Sequence, residues 1–170
     1  MQGANERFML PSGEGKSVWL GGLGVDFKIY GEQTAGSLSI VEHPIEPGRL
    51  VPPHVHADED EYSYILQGEI GARIGNQEIG ATPGSYVFKP RAIPHTFWNA
   101  GSQSAKLIKV ISPAGFEKFF DELAEIYAAG GAGGPDQEKI GELAARYNLT
   151  FVMEWAPELK AKYNLKLLGE

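Results

Sequence analysis

The sequence contains no cysteine. Disulfides, thiolate zinc sites, iron–sulfur clusters and cysteine nucleophiles are thereby excluded, and any metal has to be held by nitrogen and oxygen. Long apolar runs are missing as well: nowhere do enough consecutive apolar residues occur to cross a bilayer. Met1 to Leu10 carries no apolar stretch behind a basic one, which is the pattern a secretory leader would need. Positive charge is in short supply, with 15 basic against 22 acidic residues and a net charge of -7. Such a surface repels phosphate backbones and anionic lipid, so neither nucleic acid nor a membrane is an expected partner. We expect a soluble, cytoplasmic chain. Its 170 residues, 42% hydrophobic and 22% charged, suffice for one domain with a self-sufficient core.

What is present, from Ser17 to about Ser112, is a series of short β-branched and aromatic runs separated by Gly, Pro and Asn. The runs predict strands over 17–20, 25–30, 36–43, 51–56, 61–66, 69–74, 77–79, 85–89, 95–99 and 105–111. So many short strands suggest a closed barrel or a sandwich, with Gly75-Asn76 as a two-residue hairpin turn. After Ser112 the period changes. Phe116, Phe119, Phe120, Leu123, Ile126 and Tyr127 make a helical stripe that Gly130-Gly131 stops. Ile140, Leu143, Ala144 and Tyr147 predict a second helix, starting near Pro135 or Asp136 and ending at Asn148, and Pro157 to Leu165 a short third. The Gly/Ala-rich link 128–134 is expected to be mobile. The organisation expected is residues 1–112 as a β-barrel with its N-terminal strands and 113–170 as a helical extension packed on the same domain.

Three of the four histidines lie in two short segments, Pro52-Pro53-His54-Val55-His56 and Pro94-His95-Thr96-Phe97-Trp98-Asn99. Residues two apart in a strand share a face, so His54 and His56 present adjacent imidazoles. Glu61 opens the next strand and can return to the same interior. A barrel brings the His95 strand opposite the first pair. Three nitrogens and one carboxylate oxygen result. Asp58-Glu59-Asp60 reads as a solvated acidic turn, with Asp60 the alternative ligand if the register shifts by one. His43 reads as structural and Asn99 as a turn residue. By strand parity Ser63, Ile65 and Phe97 face inward and are the candidate substrate-pocket residues.

The spacings Gly48-x5-His54-x-His56-x4-Glu61-x6-Gly68 and Gly84-x5-Pro90-x4-His95-x3-Asn99 resemble the two motifs of the cupin superfamily. The resemblance implies an all-β, double-stranded β-helix (jelly-roll) barrel, with His54, His56, Glu61 and His95 as the metal ligands. The second motif usually carries Gly two residues after its Pro; Ala92 stands there instead, from which we expect a turn without positive φ. The single barrel with a C-terminal helical pair, Glu69 after Gly68, and the Pro-His-Thr-Phe-Trp-Asn segment are most similar to quercetin 2,3-dioxygenase-like cupins.

Imidazole and carboxylate ligands suit one divalent Fe, Mn, Ni, Co, Cu or Zn ion per chain and do not choose among them. Four protein ligands on a six-coordinate ion leave two positions for a bidentate substrate, or for substrate and O2. The function expected is a metal-dependent dioxygenase acting on a flavonol-like or other enolisable aromatic or dicarbonyl small molecule, with Glu61 also serving as general base. The alternatives are a redox-neutral isomerase, decarboxylase or lyase, and a non-catalytic small-molecule binder. The first helix is expected to pack on an outer sheet face, a lid hinged at 130–134 being the alternative. A homodimer paired through the N-terminal strands before Gly48 is expected. Histidine ligates only when neutral, so metal should leave as the pH falls through about 6.

Overall fold

The computed structural model describes residues 8–170, so the part of the N-terminal reading that covers residues 1–7 lies outside the described residues. In chain order the elements are β1 Ser17–Trp19, β2 Gly24–Ile29, β3 Ser39–Ile45, β4 Arg49–Leu50, β5 His54–His56, β6 Asp60–Gln67, β7 Ile70–Ile74, β8 Gln77–Ala81, β9 Tyr86–Lys89, β10 His95–Asn99, β11 Ala105–Ser112, α1 Glu117–Gly130, α2 Gln137–Arg146, β12 Leu149–Phe151, α3 Ala156–Tyr163 and β13 Lys166–Leu167. One sheet runs β1-β2-β3-β11-β6-β9; the other runs β12-β5-β10-β4-β13, with β7 also on β10 and β8 on β7. Two facing sheets with this strand count form the jelly-roll barrel expected, with its C-terminal helices. No helix among the described residues is long and apolar enough to cross a membrane.

Period-2 patterning explains the barrel wall. Along β11, Ala105, Leu107, Lys109 and Ile111 are buried while Lys106, Ile108 and Val110 are half-buried. On β3 the inward set is Ser39, Val41, His43 and Ile45, and on β6 it is Glu61, Ser63 and Ile65. Outward pairs fix the β6–β9 register: Tyr62 stacks on Phe88 at 4.9 Å and Tyr64 lies 4.8 Å from Tyr86. The strand expected over 51–56 is divided. Pro52-Pro53 removes two backbone donors, so β4 pairs with the far end of β10 and β5 with its start.

The extension is more than helical. β12 adds to β5, placing Leu149 opposite His56 and Phe151 opposite His54, and β13 runs parallel to β4. Residues beyond 112 therefore complete the sheet that carries the histidines. Asp136 caps α2, accepting from the backbone N–H groups of Glu138 and Lys139. The buried Glu117 carboxylate ties α1 to the barrel side, accepting from Gly31 N at 2.9 Å and Gly115 N at 2.6 Å. The 128–134 link carries the last turn of α1 and a short 3-10 turn, Gly131–Gly133. Beneath α3, Leu50, Trp98, Leu159 and Leu165 form a second, smaller core, which is why β10 is buried on both faces.

The turn before His95 corrects the expectation drawn from Ala92. Ala92 sits at φ 61°, in the left-handed region, and its N–H donates to the His56 carbonyl at 2.7 Å. The turn thus anchors the strand that carries two histidines, at a cost of ~1–2 kcal/mol for an L side chain against ~0.5–1 kcal/mol for glycine. Ala92→Gly is expected to raise the free energy of urea unfolding by about 0.5–1 kcal/mol and Ala92→Val to lower it. A lower midpoint for the glycine variant would show that the turn is not strained.

Candidate metal centre and its cavity

His54 and His56 leave β5 on one face, Glu61 comes from the start of β6, and His95 from the start of β10, directly opposite His54. All four are buried, and one ligand-capable atom from each lies within 4.8 Å of the others. The imidazoles meet edge to face, His54 with His95 at 4.7 Å and with His56 at 5.0 Å. Glu61 Oε1 is 3.3 Å from His56 Nε2, and Oε2 is 3.5 Å from His95 Nε2.

The backbone settles the tautomers. His54 Nδ1 lies 2.6 Å from the Pro52 carbonyl and His95 Nδ1 3.1 Å from that of Ile93, so each places its proton on Nδ1 and leaves Nε2 as a lone pair facing the cluster. Burial holds His54 well below the ordinary histidine range, helped by its imidazole neighbours, and burial lowers His95 as well. Both are therefore neutral, the form a metal needs. At His56 burial works in the same direction, but the carboxylates of Glu59 and Glu61 outweigh it and raise its pKa. Among the described residues, His56 Nε2 and His95 Nε2 are buried with no aligned hydrogen-bond partner. Converging lone pairs that would otherwise stay unsatisfied are what a metal ion completes, and three imidazoles with one carboxylate suit a divalent transition metal. The cluster can hold one such ion.

The choice between neighbouring carboxylates is resolved by Asp60 pointing outward, where it pairs with Arg91 Nη2 at 2.9 Å and accepts from the Arg91 N–H. Glu59 corrects the reading of 58–60 as solvated. It is buried beside the centre, with Oε2 3.3 Å from His56 Nδ1, in the position of a residue that orients a ligand. Asn99 closes its turn, donating to Ile45 and Gln103 carbonyls and accepting from Gly101 N–H.

Two lysines were not anticipated. Lys109 Nζ lies 2.8 Å from Glu61 Oε1 and Lys89 Nζ 2.9 Å from Oε2, and both ammoniums sit about 5 Å over the face of Phe97. Burial would raise the Glu61 carboxyl, yet Lys109, Lys89 and the two imidazoles hold it well below the usual carboxylate range. Burial lowers Lys109 to about 8. Parity was the available signal: Lys109 falls between Leu107 and Ile111 on the inward face of β11, and Lys89 shares the inward face of β9 with Val87.

The centre closes one end of a cavity of about 360 Å³. His54, Glu61, Lys109, His43 and Phe97 form that end, and the walls are largely apolar. Of the expected pocket residues Phe97 lines the cavity; Ser63 and Ile65 point inward but are buried in the barrel away from it. His43 is also there. Its Nδ1 lies 2.9 Å from the Gly24 carbonyl, its Nε2 has no partner, and burial, with Lys109 nearby, lowers it to about 3. Phe116 meets His56 edge to face at 4.3 Å and Phe120 meets His43 at 5.3 Å; with Phe119, Leu123 and Tyr127 they line the cavity, so this stripe covers it instead of packing on an outer sheet face.

Residues 42–111, which include the whole candidate centre and both lysines, match the cupin domain family. The chain is 30% identical over 80 residues to the tetracenomycin polyketide synthase protein TcmJ of Streptomyces glaucescens, a match covering 47% of this chain and 52% of that protein. The chain thus spans about half the length of that curated relative. Among solved structures it is similar to the polyketide cyclase RemF from Streptomyces resistomycificus, with TM-score 0.55, 21% identity, and coverage of 62% of this chain and 79% of that one. A predicted oxalate decarboxylase from Thermotoga maritima gives TM-score 0.52 at 22% identity, covering 54% and 80%. KdgF from Halomonas sp. gives 0.52 at 18%, covering 57% and 84%. These structural likenesses establish the fold.

Equilibrium dialysis against Zn²⁺ is expected to give one ion per wild-type chain. His54→Ala, His56→Ala and His95→Ala should abolish tight binding, and Glu59→Gln should weaken it about 10–100-fold. Because His56 is the imidazole with the raised pKa, protons compete for it before the other two, and metal should be lost progressively as the medium is acidified. Full stoichiometry in all three histidine variants would contradict the centre.

Proposed function

We propose that this chain, which carries a cupin domain over residues 42–111, is a metal-dependent enzyme that moves a proton on an enolisable, largely aromatic small molecule without net oxidation. The observation that carries this reading is the equipment of the cavity end: beside the candidate ligands it holds proton-exchanging groups, Glu61, Lys109 and His43, and the remaining walls are largely hydrocarbon. The polyketide names of TcmJ and RemF support an aromatic, multi-carbonyl substrate.

His54, His56, Glu61 and His95 would hold the ion, which when bound supplies Lewis-acid polarisation of a substrate carbonyl. The residues do the rest. The Glu61 carboxylate, kept ionised by two ammoniums, is the base that takes a proton from the carbon next to the polarised carbonyl. Lys109 Nζ, with its pKa lowered to about 8, returns a proton to a second atom of the substrate. The 2.8 Å contact between the two lets the proton on Glu61 pass to Lys109, which restores the starting state. Phe97 and the α1 aromatics hold a planar ring and keep water out. His43 Nε2, a neutral acceptor on the cavity wall, positions a substrate hydroxyl.

A second reading, the quercetin 2,3-dioxygenase-like activity expected from the motifs, is favoured by the donor set, which accommodates Fe, Mn, Ni, Co or Cu as readily as Zn. Substrate turnover by the Zn²⁺-loaded protein under nitrogen separates the two. Enolisable aromatic diketones should be converted without oxygen, and Lys109→Met should lower kcat about 10²–10⁴-fold. Conversion only in air, with one O2 consumed per substrate, would replace proton transfer by the dioxygenase reading.

A further inference from the structure

With His56 in the neutral form that ligation requires, the buried charges around Glu61 balance before any ion is added. Lys89 and Lys109 contribute two positive charges, Glu61 and Glu59 two negative ones, and the tautomers of His54 and His95 leave those imidazoles neutral. A carboxylate ligand ordinarily cancels half the charge of a divalent ion. Here each Glu61 oxygen already faces an ammonium, so its negative charge is committed. Among the described residues the two lysines form ion pairs only with Glu61, and the cavity that Lys109 lines is also lined by the apolar Phe116, Phe120 and Leu123. A double positive charge left at the end of such a cavity is costly unless something anionic enters with it.

We propose that Lys89 and Lys109 cancel the carboxylates of the centre, so that a bound divalent ion keeps its full charge and the cavity takes its substrate as an anion. The ligand class is an oxyanion head with two neighbouring oxygens, a 2-hydroxycarboxylate or the enolate of a 1,3-dicarbonyl, on an aromatic body. The inference rests on the reading of this centre as a metal site acting on small molecules, but it concerns binding and does not depend on the reaction. It gives the lysines a positioning role that a purely structural ion pair would lack: they set the charge preference of the cavity and the affinity for the metal.

The experiment is titration calorimetry at pH 7 with 1-hydroxy-2-naphthoate and its uncharged counterpart 1-hydroxy-2-naphthamide. In Zn²⁺-loaded wild-type protein the carboxylate should bind at least about tenfold tighter than the amide, and in the chelator-treated protein the preference should vanish. Lys89→Met and Lys109→Met should each bind Zn²⁺ at least about tenfold tighter, because Glu61 is then free to neutralise the ion, and should lose preference for the naphthoate. Equal affinity for both compounds in the loaded wild type overturns the proposal, as do lysine variants with unchanged zinc affinity. Where a methionine variant does not fold, the loaded-against-chelated comparison in the wild type decides alone. Anion preference with no turnover of any diketone keeps this inference and removes the proton-transfer reading; turnover with no anion preference does the reverse.

Discussion

The Glu61 carboxylate, buried between two ammoniums and two imidazoles, is the interaction around which the barrel interior is arranged. A single buried charge in an apolar barrel would cost several kcal/mol, and a pair of lysines without a carboxylate would cost more. Each group is tolerable because the others are there. The strands that supply them, β6, β9 and β11, are neighbours in one sheet, while the histidines come from β5 and β10 of the other. The centre therefore joins the two sheets electrostatically where an ordinary jelly roll would join them with hydrocarbon. Phe97 lies under both ammoniums and supplies the apolar part of that junction.

Positioning depends on contacts remote from the polar atoms. The left-handed Ala92 hooks the turn before His95 onto His56, and β12 pairs with β5 from the other side. The histidine strand is thereby held at both edges, although it is only three residues long. The same C-terminal segment supplies α1, whose aromatic stripe roofs the cavity. The placement of the candidate ligands and the cavity shape thus depend jointly on residues beyond 112, which lie outside the 42–111 cupin match. That placement shows how an extension shapes a cavity over a common barrel.

Much of this was legible from the amino acids. Strand alternation placed nearly every element of the barrel, and the i, i+2 histidines with Glu61 and His95 named the cluster before any coordinates. The departures have physical causes. Pro52-Pro53 divides a strand that β-propensity reads as continuous. Ala92 adopts a backbone hand that its identity argues against, in a turn tied by its N–H to the His56 carbonyl. Ser63 and Ile65 obey parity yet miss the cavity, since parity gives a side of the sheet and not a depth within the barrel. Lys89 and Lys109 obey the same parity and were passed over because lysine is rarely buried; a lysine on the apolar face of a strand was the signal. Nothing local in the sequence could bring β12 beside β5, which is a pairing across some ninety residues.

The convergence of His54, His56 and His95 on one ion is the claim on which the site and every functional reading stand. X-ray absorption at the zinc edge of the loaded wild-type protein tests it most directly, because imidazole rings leave a multiple-scattering signature that can be counted. The account predicts three imidazoles with oxygen completing the shell, and two in a protein loaded at high zinc after His95→Ala. A wild-type spectrum with one imidazole or none, or one unchanged by the His95 substitution, would contradict it.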